Sequence, residues 1–578
     1  MPNSHRKKPF SGKQKKLQLQ AKNARKAQKA RRSNEWEDDH DAQPPPALSQ
    51  HFVPAVNENF VATSVPLQQS PDKSNRLVSM FEKLSPQQIN EARLRSMKPF
   101  HRLPQNALEI SIDSIGPVID FPKRPKWDYE MSKEEVETQE ETEFQSWMKG
   151  VYERYGNQKD TPLSWFEHNL EVWRQLWRVL EISDIILVIM DIRQPLLHFP
   201  QALYHYVTKT LGRPIVGVFN KVDLVSEFTV FSWRKYFEEH FPELQIACFS
   251  CYPRDPKLID DTTTYALKNR VKRPRKRYFH AEGVRNILSV CQRIERPKEG
   301  LHVDWTSLIN RYNDDDEDDD EYANKDTESD DNDDDSDTGS TLGLDDEFSQ
   351  ILDIHSREVQ PHNKYLTLGL VGHPNVGKSS LINSIMRKTV VSASRTPGHT
   401  KHFQTIYLSD NVRLCDSPGL VFPSVLPRAL QILSGMYPVA QVQEPYSVVQ
   451  YLAERIPLEK ILSLSPPDLE EAKDYQWSAW AICEAFAEQR GFHTARAARP
   501  DVYRAANVIL RLANDGRILL SFKPEGFFTS TKYEQLRVKE ADAYEEENAT
   551  GTEDESSGTE DNEYEIQTGG AFALLSEE

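Results

Sequence analysis

Between residues 165 and 250 two hydrophobic patterns alternate. From Trp165 to Glu181, WFEHNLEVWRQLWRVLE, apolar residues recur at spacings of three and four, which predicts a helix. IILVIMD (Ile185 to Asp191) is short and almost wholly apolar, the pattern of a strand buried on both faces. A helical segment around Gln201 to Leu211 leads to a second such run, IVGVFN. The amphipathic FSWRKYFEEHF follows, and then a third strand, IACFS, from Ile246 to Ser250. Strands alternating with helices predict a parallel sheet in an α/β domain.

After Arg296 the pattern fades into an acidic run, and it resumes at LTLGLVG (Leu366 to Gly372), a fourth buried strand. TIYLS and VRLCD then flank Asp410-Asn411, a separation that suits a hairpin, so this part of the sheet is expected to be antiparallel. The expectation is an α/β fold with six strands in one mostly parallel sheet.

The ends of these strands carry the candidate chemistry. The second closes with Asn220, Lys221, Val222 and Asp223, the N-K-x-D with which GTPases read guanine. The fourth runs into Gly372, His373, Pro374, Asn375, Val376, Gly377, Lys378, Ser379 and Ser380, a G-x-x-x-x-G-K-S phosphate loop opening a helix. Glycines let backbone N–H groups face phosphates, and the helix N-terminus adds positive potential. Lys378 suits the β- and γ-phosphates, and the Ser379 hydroxyl suits Mg²⁺. The last strand ends in Asp416-Ser417-Pro418-Gly419, a D-x-x-G whose carboxylate meets the Mg²⁺ shell and whose glycine N–H meets the γ-phosphate. SRTPGHTKHFQ offers Thr396 and Thr400 as the switch threonine, with Thr400 preferred. Lys378, Thr400 and Gly419 are thus the candidate catalytic residues, and Ser379, Thr400 and Asp416 the candidate Mg²⁺ ligands. Average residue frequencies give roughly 0.1 chance N-K-x-D matches and roughly 0.02 chance phosphate loops in a chain this long. Both motifs also sit where a parallel sheet places ligands, so accident is set aside.

Their order is inverted. No phosphate loop occurs in the 219 residues before Asn220, so base reading precedes phosphate binding. A circular permutation explains this without altering the sheet, with the acidic insert tethering the old termini away from the nucleotide.

Composition adds partners and place. The net charge of −18 is segregated: residues 5–32 hold twelve Lys or Arg and no acid, while 314–347 and 540–578 are acidic. Such blocks are expected to be disordered. No run of about 18 apolar residues exists, so no membrane span is expected. The basic start lacks an apolar core, which argues against a secretory signal. Five cysteines make no disulfide framework, and an intracellular setting is expected. The lone Cys248/Cys251 pair is expected to be buried thiols rather than a metal site.

These motifs, in this order, resemble the YlqF/YawG family of circularly permuted GTPases, associated with ribosome assembly, from about Trp165 to about Gly526. EISDIILVIMDIRQPL looks like that family's strand ending in D-A-R-x-P, with Ile192 where Ala is usual. FSCY, Phe249 to Tyr252, takes the place of the S-A-K loop behind the guanine. Ser250 and Cys251 therefore join the base pocket by resemblance, Cys251 departing from Ala. The resemblance implies GTP and Mg²⁺. It also implies potassium held by Asn375, with a loop-capping amide as the alternative. Where Ras-like enzymes place a glutamine after D-x-x-G, Leu420 stands here and can neither donate nor accept, so slow, partner- or potassium-stimulated hydrolysis is expected. Gln489 to Phe527 resembles a C-terminal helical module thought to touch ribosomal RNA. Its cations include Arg490, Arg496, Arg499, Arg504 and Arg511; Arg504 and Arg511 share a face if helical, and a merely solvated face is the alternative.

The expected organisation is a basic disordered arm (1–50), a partly ordered extension (51–160), the guanine-reading half (161–300) and an acidic disordered insert (301–350). The phosphate-loop half (351–430), a helical module (431–535) and an acidic tail (536–578) complete it. The expected function is a slow GTP-hydrolysing switch in ribosome biogenesis or another nuclear ribonucleoprotein process; the rival is a GTP-liganded scaffold with little turnover. Ribosomal RNA or a pre-ribosomal particle and the nuclear import machinery are the expected partners, without a membrane. The arm and KRPRKR (Lys272 to Arg277) read as nuclear or nucleolar addresses, with shuttling to the cytoplasm, and the arm also reads as a salt-sensitive RNA contact.

Overall fold

A computed structural model of the 578-residue chain describes residues 86–128, 130–156, 163–251, 283–298, 300–312, 364–393, 398, 400, 402–466, 475–494 and 499–540. The basic arm, most of the acidic insert, KRPRKR, Thr396 and most of the acidic tail lie outside them.

Six strands form one sheet: β1 (Ile185–Asp191), β2 (Ile215–Asn220), β3 (Leu244–Phe249), β4 (Leu366–Val371), β5 (Gln404–Tyr407) and β6 (Val412–Asp416). Their spatial order is β3-β2-β1-β4-β6-β5, with β5 antiparallel to β6 and every other pair parallel. The guanine-reading half thus builds one side and the phosphate-loop half the other. They join along the β1–β4 seam, where Ile185 to Val188 pair with Leu368 to Val371. This is the six-stranded, mostly parallel Ras-like sheet in permuted order.

The strands are apolar throughout because helices cover both faces. On one face Ile186, Val188 and Met190 pack with α1 (Leu170–Ile182) and α2 (Glu227–His240). On the other, the alternate residues Ile185, Leu187 and Ile189 pack with α3 (Val284–Ile294) and α4 (Lys378–Ile385). The first core continues into the C-terminal helices, among them α5 (Tyr446–Arg455), α6 (Ala479–Gln489) and α7 (Val502–Asn514). Among the described residues no helix is long and apolar enough to cross a membrane.

Several expectations need correction. α1 begins at Leu170, not Trp165, and Asn169 caps it by accepting from the Glu171 N–H. Residues 165–169 form no helix and are held by distant partners instead: the Gln431 amide brackets the Trp165 N–H and carbonyl, and the Glu167 N–H donates to the Val421 carbonyl. The segment after Gln201 ends in one π turn, Tyr206–Thr210. Among the described residues between Gln489 and Phe527 only α7 is a regular helix, and Lys523–Pro524 forms a short parallel pair with Glu109–Ile110.

Three domain boundaries also move, and the extension before residue 160 carries an ordered helix. Helix Lys133–Tyr155, started by a Ser132–Glu135 capping box, buries Phe144 and Val151 against the GTPase side. The acidic insert does not start at 301, because Trp305–Asn310 is a helix burying Trp305 and Leu308 in the second core. A boundary at 431 would cut helix Arg428–Leu433. The tail does not start at 536, since 532–540 is helical and Glu540 pairs with Arg234 at 2.7 Å and Lys235 at 3.0 Å.

Candidate GTP-binding site

Register explains why motifs so far apart in sequence meet. Asp191 pairs with Asn220, Asn220 with Phe249, Val188 with Val371, and Leu370 with Asp416. Every parallel strand therefore ends at the same edge, where loops can converge on one ligand.

On the base side, Lys221 turns the chain with φ 63° and Asp223 follows within a single 3₁₀ turn. The Ser250 hydroxyl donates to Asp223 Oδ1 at 2.7 Å, fixing the carboxylate that would meet the guanine edge. The Cys251 thiol lies 3.3 Å from the Ser384 hydroxyl, on the helix after the phosphate loop. Asn220 Nδ2 donates to the Val376 carbonyl at 2.6 Å, and Lys221 Nζ to that of Asn375 at 2.9 Å. The N-K-x-D asparagine and lysine thus bind the base loop to the phosphate loop.

The phosphate loop runs from the end of β4 into α4. Gly377 takes φ 103°, and a Cβ there would lie 2.2 Å from Asn220 Nδ2, so only glycine fits. Gly419 closes on the loop from the switch side, where a Cβ would fall 2.6 Å from Pro374 Cα. Val376 anchors the loop in the second core. Ser380 sits in the first turn of α4, its carbonyl accepting from Ser384. Lys378 is buried, with Nζ donating to the Gly372 and His373 carbonyls at 2.9 and 2.8 Å. Burial pushes its pKa down to about 8, against the attraction of Asp416.

Ser379 Oγ donates to Asp416 Oδ2 at 3.0 Å and lies 3.3 Å from Thr400 Oγ1. Asp416 Oδ1 is buried without a hydrogen-bond partner among the described residues. Burial pushes the Asp416 pKa up to about 6, despite opposition from Lys378, Ser379 and the Ser417 backbone. A buried carboxylate with one idle oxygen beside two hydroxyls is a donor set for a hard cation, and Mg²⁺ fits it. Ser417 turns away, its hydroxyl donating to the Leu370 carbonyl at 2.6 Å, and Pro418 is buried beside it. Leu420 is buried, and its N–H donates to the Gly372 carbonyl, so no polar side chain follows Gly419. Asn375, at φ 59°, donates from Nδ2 to the Gly435 carbonyl at 3.0 Å.

Two residues of the D-I-R-Q-P strand end, which resembles D-A-R-x-P, belong to the site although sequence reasoning gave them no role in it. Asp191 and Arg193 form a buried pair at 2.7 Å, and Lys221 Nζ shares Asp191 Oδ2 at 2.7 Å. The signal was present, but neither residue belongs to a nucleotide-binding pattern. Among the described residues no cluster of three or more His, Cys, Asp and Glu could hold a metal, and none of the five cysteines is in a disulfide.

A family model described as 50S ribosome-binding GTPase matches residues 367–456, the phosphate-loop half. Guanine nucleotide-binding protein-like 1 of Homo sapiens is 43% identical over 542 residues, covering 90% of this chain and 86% of its own. The Large subunit GTPase 1 homolog of Mus musculus is 31% identical over 430 residues, covering 70% of this chain and 66% of its own. Among solved structures, GNP-bound YlqF from T. maritima is 15% identical, covering 61% of this chain and 98% of that one, with a TM-score of 0.31.

Proposed function

The chain belongs to the family of guanine nucleotide-binding protein-like 1, a family of GTP-binding proteins, and on that premise we propose that it is a slow GTP-hydrolysing switch acting in ribosome biogenesis. The observation that carries the nucleotide reading is the 2.6 Å bond from Asn220 to Val376, which assembles base and phosphate motifs into one site. In that site Asp223 pairs with the guanine N1–H and exocyclic amine, and the α4 N-terminus and Lys378 hold the phosphates. Ser379, Thr400 and Asp416 would hold Mg²⁺, which would supply positive charge to the phosphates. Gly419 N–H faces the γ-phosphate.

Hydrolysis is slow because Leu420 cannot orient water. Asn375 would hold potassium, which together with a partner would supply the stimulation that Leu420 does not. The ribosomal assignment is supported by the description of the matching family model and by the name of the mouse Large subunit GTPase relative. The partners are ribosomal RNA or a pre-ribosomal particle, met by the arm of twelve cations and by Arg490, Arg499, Arg504 and Arg511. The arm and KRPRKR direct the protein through the import machinery to the nucleus and nucleolus. A scaffold that holds GTP and scarcely turns over is the second reading, favoured by the buried Leu420.

RNA crosslinking in cells tests the proposal. Ribosomal RNA should dominate the crosslinks and should fall in Lys378→Ala. Crosslinks without ribosomal RNA would overturn the assignment, and ribosomal crosslinks indifferent to Lys378 would favour the scaffold. Deleting residues 1–33 should flatten the salt dependence of RNA binding and move the protein towards the cytoplasm.

A further inference from the structure

The carbonyl end of α7 stops against the base-reading loop. Arg193, at the end of β1, turns its guanidinium between the two and is buried. Nε and Nη2 reach the Asp191 carboxylate at 3.0 and 2.7 Å. Nη1 donates to the Ala513 carbonyl at 2.9 Å, and Nη2 to that of Asn514 at 3.3 Å. Those carbonyls belong to the last turn of α7, where the Ala513 carbonyl also accepts from the Gly516 N–H at 3.1 Å and the negative end of the helix favours a cation. Asp191 Oδ2 also accepts from Lys221 Nζ, whose other contact is the Asn375 carbonyl. One carboxylate therefore joins the helix end, through Arg193, to the lysine of N-K-x-D.

A second contact links the same parts. A Cβ on Gly516, just past α7 at φ +74°, would lie 3.0 Å from Leu224, the residue after Asp223. Phe522 N–H donates to the Arg193 carbonyl at 2.8 Å. The loop that reads guanine is thus seated on the end of α7 and shares a buried charge pair with it.

We propose that Arg193 is a positioning residue for guanine recognition, coupling the N-K-x-D loop to α7, so that base binding and seating of the C-terminal helix stabilise each other. The side-chain chemistry supports this role. A planar guanidinium grips the carboxylate with two nitrogens and still reaches both carbonyls, whereas a lysine has three donors on a single nitrogen. Charges sharing a buried carboxylate have few alternative arrangements, so a shift of Lys221 is felt by Arg193 and then by the helix end. Coupling of this kind is reciprocal. The inference rests on the chain binding guanine nucleotide, as proposed above.

The test uses the full chain with GDP and with IDP, which lacks the exocyclic amine that Asp223 reads. Arg193→Gln should weaken GDP on the order of tenfold and IDP less, so that the preference for GDP shrinks. In the wild type, GDP should slow amide exchange over residues 511–517, and R193Q should lose that protection. A merely structural role would lower both affinities alike, so an unchanged GDP/IDP ratio in folded R193Q overturns the proposal. Wild-type exchange over 511–517 that ignores GDP overturns it too. Should R193Q not fold, Gly516→Ala presses on Leu224 from the helix side and is judged by the same ratio. A wild type that binds neither nucleotide refutes the guanine reading itself, and the inference with it.

Discussion

Asn220 and Val376 are 156 positions apart, yet Asn220 Nδ2 lies 2.6 Å from the Val376 carbonyl. The amide's Oδ1 meanwhile accepts from the Lys221 N–H at 2.7 Å, so both of its ends are used within the protein. Asn220→Ala leaves a buried carbonyl unpaired, a loss of about 1–3 kcal/mol. Nucleotide affinity should fall about 5- to 100-fold, as read by titration with a fluorescent GDP. Affinity within twofold of wild type would deny that this bond assembles the site.

Ser250 and Cys251 should differ sharply. The Ser250 hydroxyl holds Asp223, and a hydrogen bond to a charged group contributes about 1.5–3 kcal/mol, so Ser250→Ala should weaken GDP about 10- to 100-fold. The Cys251 thiol meets Ser384 instead, so Cys251→Ala should leave the dissociation constant within about threefold. Equal losses in both variants would contradict this division.

Leu420 predicts intrinsic hydrolysis on the order of 10⁻⁴ to 10⁻² s⁻¹, measured as phosphate release in single turnover. Potassium should raise the rate over sodium, and Asn375→Ala should erase that difference. Equal rates in the two salts would leave Asn375 only its tie to Gly435.

Acid should weaken the fold through two buried histidines near the phosphate loop. Burial pushes His198 down to about 4, and burial with the nearby His198 and Lys378 holds His373 well below its ordinary value of 6.5. Both are neutral in the folded chain, so between pH 6.5 and about 4 the unfolded chain binds more protons. Their contribution is complete above pH 6.5 and shrinks as pH falls towards 4. For His198 alone the loss is about 2 kcal/mol between pH 7.5 and 5. His198 Nδ1 donates to the Gln194 carbonyl at 3.0 Å, a bond that an asparagine amide can reproduce. His198→Asn should therefore lose less stability over that interval in urea unfolding, whatever its stability at pH 7.5. An equal loss would exclude His198 as a source.

The sheet was legible because burial on both faces makes each central strand a continuous apolar run, and N-K-x-D, the phosphate loop and D-x-x-G mark strand ends. Permutation was legible from motif order alone. What was not legible depends on partners distant in the chain. Trp165 to Asn169 has helical spacing, but Gln431 and Val421 claim its backbone. Trp305–Asn310 stands next to an acidic run that masks its few apolar residues. The link from Arg193 to Ala513 spans 320 positions and is made to a carbonyl, which no side-chain pattern marks.

The central claim is that a permuted chain reads guanine through Asp223, and exchange of base preference tests it most directly. Calorimetric titration of the full chain with GTP and XTP in Mg²⁺, wild type beside Asp223→Asn, is the measurement. An asparagine amide presents a donor where the carboxylate accepts, which suits the xanthine carbonyl. The wild type should bind GTP and not XTP, and D223N should bind XTP and lose GTP on the order of 100-fold. D223N that binds GTP as the wild type does, with no gain for XTP, would contradict the account.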